Sequence, residues 1–194
     1  MKALLVVVGL GVVVGAYGCS TYNKLVRTDE AVKAQWAQVE NQYQRRADLI
    51  PNLVQTVKGY MTHEKEVLEA VTVARAQAGS VKLDTSKLSD PQAIARFEQA
   101  QSQLSGALGR LLAVSERYPD LKAQASFQTL QSQLEGTENR ISVERRRYNE
   151  TVQEYNTTIR SFPSSMIAGL GHFAAKQPFK ATTAGAAEAP KVQF

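Results

Sequence analysis

The stretch EAVKAQWAQVENQYQRRADLIPNLVQTVKGYM, residues 30–61, decides the fold of this chain. Its large apolar side chains recur at steps of three, four or seven residues, a spacing that keeps one face of an α-helix apolar. The same spacing extends beyond the stretch on both sides. The pattern therefore predicts a first long amphipathic helix from Glu30 to Ala78, with a kink at Pro51 because proline removes a backbone donor.

Further amphipathic helices are predicted toward the C-terminus. Ser89 or Asp90 can cap the start of the second helix, and Pro91 fits its first helical position. Pro119 breaks that helix, and Pro163 ends the third. Because strand-like alternation and hairpin turn dipeptides are absent from the sequence, we expect an all-α protein. The predicted architecture is an N-terminal membrane helix followed by an elongated antiparallel helical bundle with a kinked first long helix.

Three segments are predicted along the chain. Residues 1–22 form a transmembrane anchor or a signal or lipoprotein segment, and residues 23–175 form the helical bundle. The last part of the bundle, residues 164–175, offers apolar side chains to the bundle end or to a membrane surface. Residues 176–194 are rich in Ala, Thr, Gly and Pro and lack periodicity, which predicts a flexible C-terminal tail.

The N-terminal run from Ala3 to Tyr22 carries no charge and measures about 30 Å as a helix, enough to span a hydrocarbon core. It predicts a single-pass protein of the cell membrane. The small residue before Cys19 leaves two alternatives open: a lipoprotein anchored through Cys19, or a cleaved secretory signal. Gly11 and Gly15 form a G-x-x-x-G pair that would let a second helix approach, which favours a homo-oligomer. The flanking charges do not decide the orientation.

Composition argues against several functions. The 23 Lys and Arg residues against 18 Asp and Glu give a net charge of +5, spread without a basic tract, so nucleic acid is not expected as a partner. Two His and one Cys leave little material for acid–base or metal chemistry. Metal-binding Glu-x-x-His and H-E-x-x-H motifs are absent, as are a nucleophile elbow and a phosphate-binding glycine loop. We therefore expect no enzyme activity, no cofactor and no metal.

Polar residues stand at some positions where the helix pattern calls for apolar ones. These positions are Arg46, Glu64, Thr137 and Glu144. A buried charge is costly unless it is paired, so we expect ion pairs that link Arg45 or Arg46 with the region of Glu135 and Glu138. Such a polar seam would set the register of the bundle, or alternatively line a pocket for a ligand.

Several blocks of the sequence resemble a known family. They are YNKLV (22–26), Trp36, RRADLIPNLVQTVKGYMTHE (45–64), LQSQLEGTENRI (130–141), RRRYNETVQEYNTTIRSFP (145–163) and IAGL (167–170). In this order they are similar to the signature stretches of the LemA family of bacterial membrane proteins. The resemblance implies a membrane-anchored helix followed by an antiparallel helical bundle, with no established enzymatic activity or cofactor.

The resemblance also implies where a polar seam or partner surface would lie. The matching residues are Arg45, Arg46, Asp48, Asn52, Lys58, His63 and Glu64 on one helix, and Glu135, Glu138, Asn139 and Arg140 on another.

The favoured hypothesis is a non-catalytic, membrane-anchored scaffold or assembly protein of the bacterial envelope, acting by self-association or by binding an envelope partner. The alternative is a small-ligand-binding bundle that uses the seam around Arg46, Glu64 and Glu138. A further option is peripheral binding to anionic lipid through the basic residues after the apolar run. Those residues are Lys24, Arg27 and Lys33.

Overall fold

The structure is a computed structural model that describes residues 1–61 and 63–180. Within the first helix, the side chains of residues 2–4, 6, 7 and 14 are not described. The part of the predicted tail at 181–194 lies outside the described residues.

The described residues form helices and no strand, which confirms the all-α prediction. The helices are α1 (Lys2–Lys58), α2 (Lys65–Ser80), α3 (Pro91–Ser115), α4 (Pro119–Lys122), α5 (Ala125–Arg160) and α6 (Ser164–Leu170), with a 3₁₀ turn at Thr85–Lys87 between α2 and α3.

The predicted single helix from Glu30 to Ala78 is wrong at its C-terminal half, because the chain leaves the helix after Lys58. Gly59 follows at once, and glycine is a poor helix former. The amides of Tyr60 and Met61 both donate to the carbonyl of Val57, which closes the turn. The apolar phase nevertheless continues across the break, since Met61 is buried. This continuity of phase is why the sequence pattern did not reveal the interruption.

Pro51 lies inside α1, so the helix continues through it as predicted. Proline has no N–H, and the carbonyl of Ala47, four residues earlier, therefore loses its usual helical donor. Arg75 on α2 replaces that donor: its Nε lies 2.9 Å from the Ala47 oxygen. The side chain of one helix thus repairs the hydrogen-bond gap in another.

The start of α3 forms as the sequence predicts. The carboxylate of Asp90 accepts a 2.8 Å hydrogen bond from the amide of Gln92, and Pro91 is the first helical residue. α3 ends before Pro119, and that proline begins the short helix α4, which was not predicted. α5 ends at Arg160. Phe162 lies beyond the end of this helix and is 82% exposed.

The chain forms two compact units. The first unit comprises Met1–Asn41 and Val143–Pro178. Its core contains Leu25, Val32, Trp36, Val39, Tyr148, Val152 and Tyr155. The rings of Trp36 and Tyr148 meet edge to face with centroids 5.6 Å apart. Such a pair adds to the free energy gained by burying its apolar area.

The second unit comprises Gln42–Ser142 and, among the described residues, Phe179 and Lys180. α2 packs on α3 within it. Its core residues include Ile50, Leu53, Val57, Met61, Val71, Leu104, Leu111, Leu121, Phe127 and Leu134. Tyr43 and Phe97 add an edge-to-face pair with centroids 5.1 Å apart.

Residues 174–178 lie on α5 of the first unit. The side chain of Asn156 pairs twice with the backbone of Lys176, donating to its carbonyl at 2.8 Å and accepting from its amide at 2.9 Å. The phenols of Tyr155 and Tyr148 donate to the carbonyls of Ala174 and Gln177. Residues 176–178, which the sequence analysis assigned to the tail, therefore pack on the helices of this unit.

Over the described residues, no helix is both long enough and apolar enough to cross a membrane. The N-terminal anchor stays a prediction. The large apolar side chains described at that end of α1 are exposed, namely Leu5, Val8, Leu10, Val12, Val13 and Tyr17.

Candidate functional site

Arg46 is the centre of the predicted seam, and it is 1% exposed. Its Nη1 donates to the Oε1 of Glu138 at 2.6 Å and to the hydroxyl of Ser105 at 2.7 Å. Its Nη2 donates to the Oε1 of Gln101 at 2.5 Å. The predicted link between the Arg45–Arg46 pair and the Glu135–Glu138 region is therefore present as the Arg46–Glu138 ion pair.

The Arg46 cluster, formed by Arg46, Gln101, Ser105 and Glu138, joins α1, α3 and α5. Both terminal nitrogens of the guanidinium are hydrogen-bonded, and its Cζ lies 5.2 Å from the ring centre of Tyr43. The buried Nε has no hydrogen-bond partner among the described residues. A buried arginine with this many fixed partners sets the registration of three helices. It leaves little of the guanidinium for a diffusible ligand.

Glu64 does not join this cluster, which corrects the seam predicted from Arg46, Glu64 and Glu138. Its carboxylate accepts a 2.8 Å hydrogen bond from Arg117 and a weaker one from the phenol of Tyr118. Glu64 lies at the end of the break between α1 and α2, so the heptad spacing that placed it beside Arg46 no longer applies.

The other polar positions in the apolar stripe have partners. Thr137 is buried, and its hydroxyl donates to the carbonyl of Gln133. Glu144 accepts a 2.8 Å hydrogen bond from Gln35 within the first unit and forms an ion pair with Arg147.

Most of the remaining predicted residues lie on the surface. Asp48, Asn52, Lys58, His63, Glu135 and Asn139 are exposed. Asp48 and Glu135 each accept a hydrogen bond from a glutamine four residues earlier on the same helix. Lys58 lines an open groove of about 470 Å³ between α1 and α2, together with apolar residues of both helices.

Arg45 and Arg140 line one open groove of about 590 Å³ in the second unit. The other residues lining it are Ala125, Gln128, Thr129, Ser132, Gln133, Gly136 and Thr137. We call this the arginine groove. Within the described residues, neither Arg45 nor Arg140 has a hydrogen bond or an ion pair. The groove therefore combines two available guanidinium groups with hydroxyl and amide side chains.

A charged cluster that the sequence analysis missed lies in the first unit. Asp29 forms ion pairs with Lys33 at 2.8 Å and with Lys176 at 3.0 Å. Burial by itself raises the pKa of Asp29, but hydrogen bonds from the two lysines outweigh it, and the pKa lies below its ordinary value. Hydrogen bonds to Asp29 and Glu30 raise the pKa of Lys33. Lys176 is far away in sequence, so no local pattern indicated the pair.

Two phenols of the first unit stay protonated. Burial raises the pKa of Tyr148 above its ordinary range, and burial with the nearby Asp29 carboxylate raises the pKa of Tyr155 to about 12. Both groups can therefore donate their hydrogen bonds to residues 174–178 at any physiological pH. Among the described residues, no three His, Cys, Asp or Glu side chains come together as a metal site.

A comparison with protein-family models finds a match: the model of the LemA family matches residues 35–194. The chain belongs to the LemA family. The resemblance seen in the sequence is thus confirmed. The match includes the LemA chain's Arg46 cluster and arginine groove, whereas Gly11, Gly15 and Cys19 precede it. A search of curated proteins finds no match.

Proposed function

We propose that this LemA family chain is a non-catalytic scaffold of the bacterial envelope. It is held to the cell membrane by its N-terminal helix and acts by self-association or by binding an envelope partner. The observation that carries the proposal is the continuity of α1. A single helix, Lys2–Lys58, contains the uncharged apolar run and continues well beyond it.

The exposed apolar side chains of this run favour a location in a bilayer or against a partner helix. They occur at positions 5, 8, 10, 12, 13 and 17, which point in several directions around the helix. A helix that is apolar on all sides is stable only where water is excluded. The proposed anchor is the uncharged run itself, and exposed Cys19 keeps the lipoprotein anchor as the alternative.

Exposed apolar residues in and around α6 also favour a location at a membrane. Met166 and Leu170, one turn apart on α6, are 65% and 83% exposed, and exposed Phe162 precedes them. Phe173, just after α6, meets the ring of Tyr22 edge to face with centroids 5.7 Å apart. Tyr22 ends the apolar run that was predicted as the anchor, so the residue just after α6 contacts the end of the proposed anchor. Apolar side chains at that position suit the boundary between water and lipid.

The interior polar groups favour a scaffold over the small-ligand alternative at the original seam. The Arg46 cluster is closed, and Glu64 is engaged elsewhere. Lys33 is held by Asp29 and Glu30, which reduces the charge available for peripheral binding to anionic lipid.

The test uses the full chain purified from membranes. Intact mass distinguishes a retained Met1, a lipidated N-terminal Cys19 and simple cleavage. Light scattering in detergent measures the mass of the particle. We expect membrane retention and a particle larger than one chain. A chain released from membranes by alkaline carbonate contradicts the anchor. A strict monomer from which crosslinking recovers no partner contradicts the scaffold.

A further inference from the structure

We propose that the arginine groove binds the phosphate group of a small phosphorylated ligand. This inference goes beyond the scaffold role and does not depend on the membrane anchor. The groove measures about 590 Å³, which is the range of small-molecule sites in proteins. In the described part of the chain, Arg45 and Arg140 contribute two positive charges to its lining, and no carboxylate is among the residues that line it.

Among the described residues, neither Glu135 nor Glu138 of α5 forms an ion pair with Arg45 or Arg140. Glu138 uses its Oε1 to bind Arg46, and Glu135 accepts a hydrogen bond from Gln131. The two neighbouring arginines therefore differ. Arg46 is buried and hydrogen-bonded through both terminal nitrogens, whereas Arg45 is exposed without an ion pair among the described residues. A dianion between Arg45 and Arg140 would relieve the repulsion between two like charges.

The other lining groups suit an oxyanion. The hydroxyls of Thr129 and Thr137 already donate to carbonyls of α5, at Ala125 and Gln133. The hydroxyl of Ser132 has no such acceptor within the described residues and is available as a donor. Guanidinium groups bind phosphate oxygens in a bidentate geometry, and a phosphate offers enough oxygens for two guanidiniums and a hydroxyl.

Gly136 keeps the groove open and provides a test that leaves the charge unchanged. A Cβ placed on Gly136 meets no atom outside its own helix backbone within 4 Å, so a side chain can begin there without a clash. Gly136→Leu should fill the groove while keeping α5 intact. Arg45→Gln and Arg140→Gln remove one charge each, and Arg110→Gln on α3 is the matched control because Arg110 is exposed and does not line the groove.

The experiment measures thermal unfolding of the full chain in detergent, with sodium phosphate against sodium chloride at equal ionic strength. Phosphate should raise the Tm of the wild type and of Arg110→Gln by about 2–4 °C at concentrations several times its Kd. Arg45→Gln, Arg140→Gln and Gly136→Leu should lose the shift. In chloride the two arginine variants should keep the wild-type Tm, and Gly136→Leu should not fall below it, because leucine is a better helix former than glycine. An equal shift in all variants, or none in the wild type at tens of millimolar phosphate, overturns the proposal.

A second arm separates a soluble ligand from a lipid headgroup. Glycerol 3-phosphate and dihexanoyl phosphatidic acid carry the same phosphate, and only the second carries acyl chains. Equal shifts from both probes identify a soluble phosphorylated ligand. A shift at much lower concentration of the acylated probe, abolished by Arg45→Gln, identifies a lipid headgroup. A shift from the acylated probe that survives all groove variants overturns the site.

Discussion

At the scale of single residues, the Arg46–Glu138 pair is unequal, because Arg46 is 1% exposed and Glu138 is 43% exposed. Glu138 without its partner can be hydrated, whereas Arg46 without Glu138 keeps an uncompensated charge in the interior. We therefore expect Glu138→Leu to lower the free energy of unfolding by about 3 kcal/mol, and Arg46→Met by about 1–2 kcal/mol. Chemical denaturation measures both values.

The control for this pair is Glu135→Leu, which removes a surface carboxylate of the same helix and should change stability little. The double variant Arg46→Met with Glu138→Leu should be more stable than Glu138→Leu alone. If Arg46→Met is the more damaging single change, the buried charge is not what makes the pair necessary.

Asp29 gives the first unit a dependence on acid pH. Its pKa in the folded chain lies below the ordinary aspartate value of 3.8, so the unfolded chain takes up the proton first as the pH falls. The stabilisation is therefore complete above about pH 5 and is lost as the pH falls through 3.8 toward the folded pKa. Tm measured from pH 7 to pH 3 should fall less steeply for Asp29→Asn than for the wild type. Asp120→Asn, at an exposed position, should follow the wild-type curve.

At the scale of helices, Arg75 and Pro51 form a testable unit through the carbonyl of Ala47. Arg75→Met leaves that carbonyl without a donor and should cost about 1–2 kcal/mol of unfolding free energy. In a Pro51→Ala background the amide of residue 51 can donate to the same carbonyl, so Arg75→Met should cost clearly less. A double-mutant cycle by urea denaturation measures the coupling. Equal costs in both backgrounds would show that Arg75 acts through packing alone.

The helices show what a sequence can predict. The start of α3 was predicted because Asp90 and Pro91 act locally, within one turn. The break after Lys58 was missed because buried Met61 keeps the apolar spacing across a non-helical turn. That miss also placed Glu64 in the wrong cluster.

The candidate sites also divide into contacts that the sequence pattern could predict and contacts that it could not. The Arg46–Glu138 pair was predicted because a charge on an apolar stripe requires a partner across the bundle. The arginine groove and the Asp29–Lys176 pair were not, since they depend on which exposed faces meet in three dimensions. Exposed polar residues show no regular spacing in the sequence that indicates which of them come into contact.

At the scale of the whole molecule, self-association through the N-terminal helix is the prediction that bears most directly on function. A Cβ placed on Gly11 or Gly15 meets no atom within 4 Å, so both positions are open in the single chain. Small residues at this spacing let two helices pack closely in a bilayer. The variant Gly11→Leu with Gly15→Leu should therefore weaken self-association several-fold in detergent without lowering the Tm. Light scattering measures the size of the particle. If intact mass shows that Cys19 carries a free thiol, oxidative crosslinking at this exposed residue also reports whether two N-terminal helices lie close together.

The matched control is Val12→Leu with Val13→Leu, which adds volume at exposed apolar positions outside the glycine pair and should leave the particle unchanged. Loss of the oligomer in both double variants would point to a general effect of side-chain volume. Retention in both would place self-association on another surface, with the exposed face of Met166 and Leu170 as the next one to vary. Because the glycines have open space around them, a smaller particle in the first variant cannot be attributed to strain within the single chain. It would then report contact between copies.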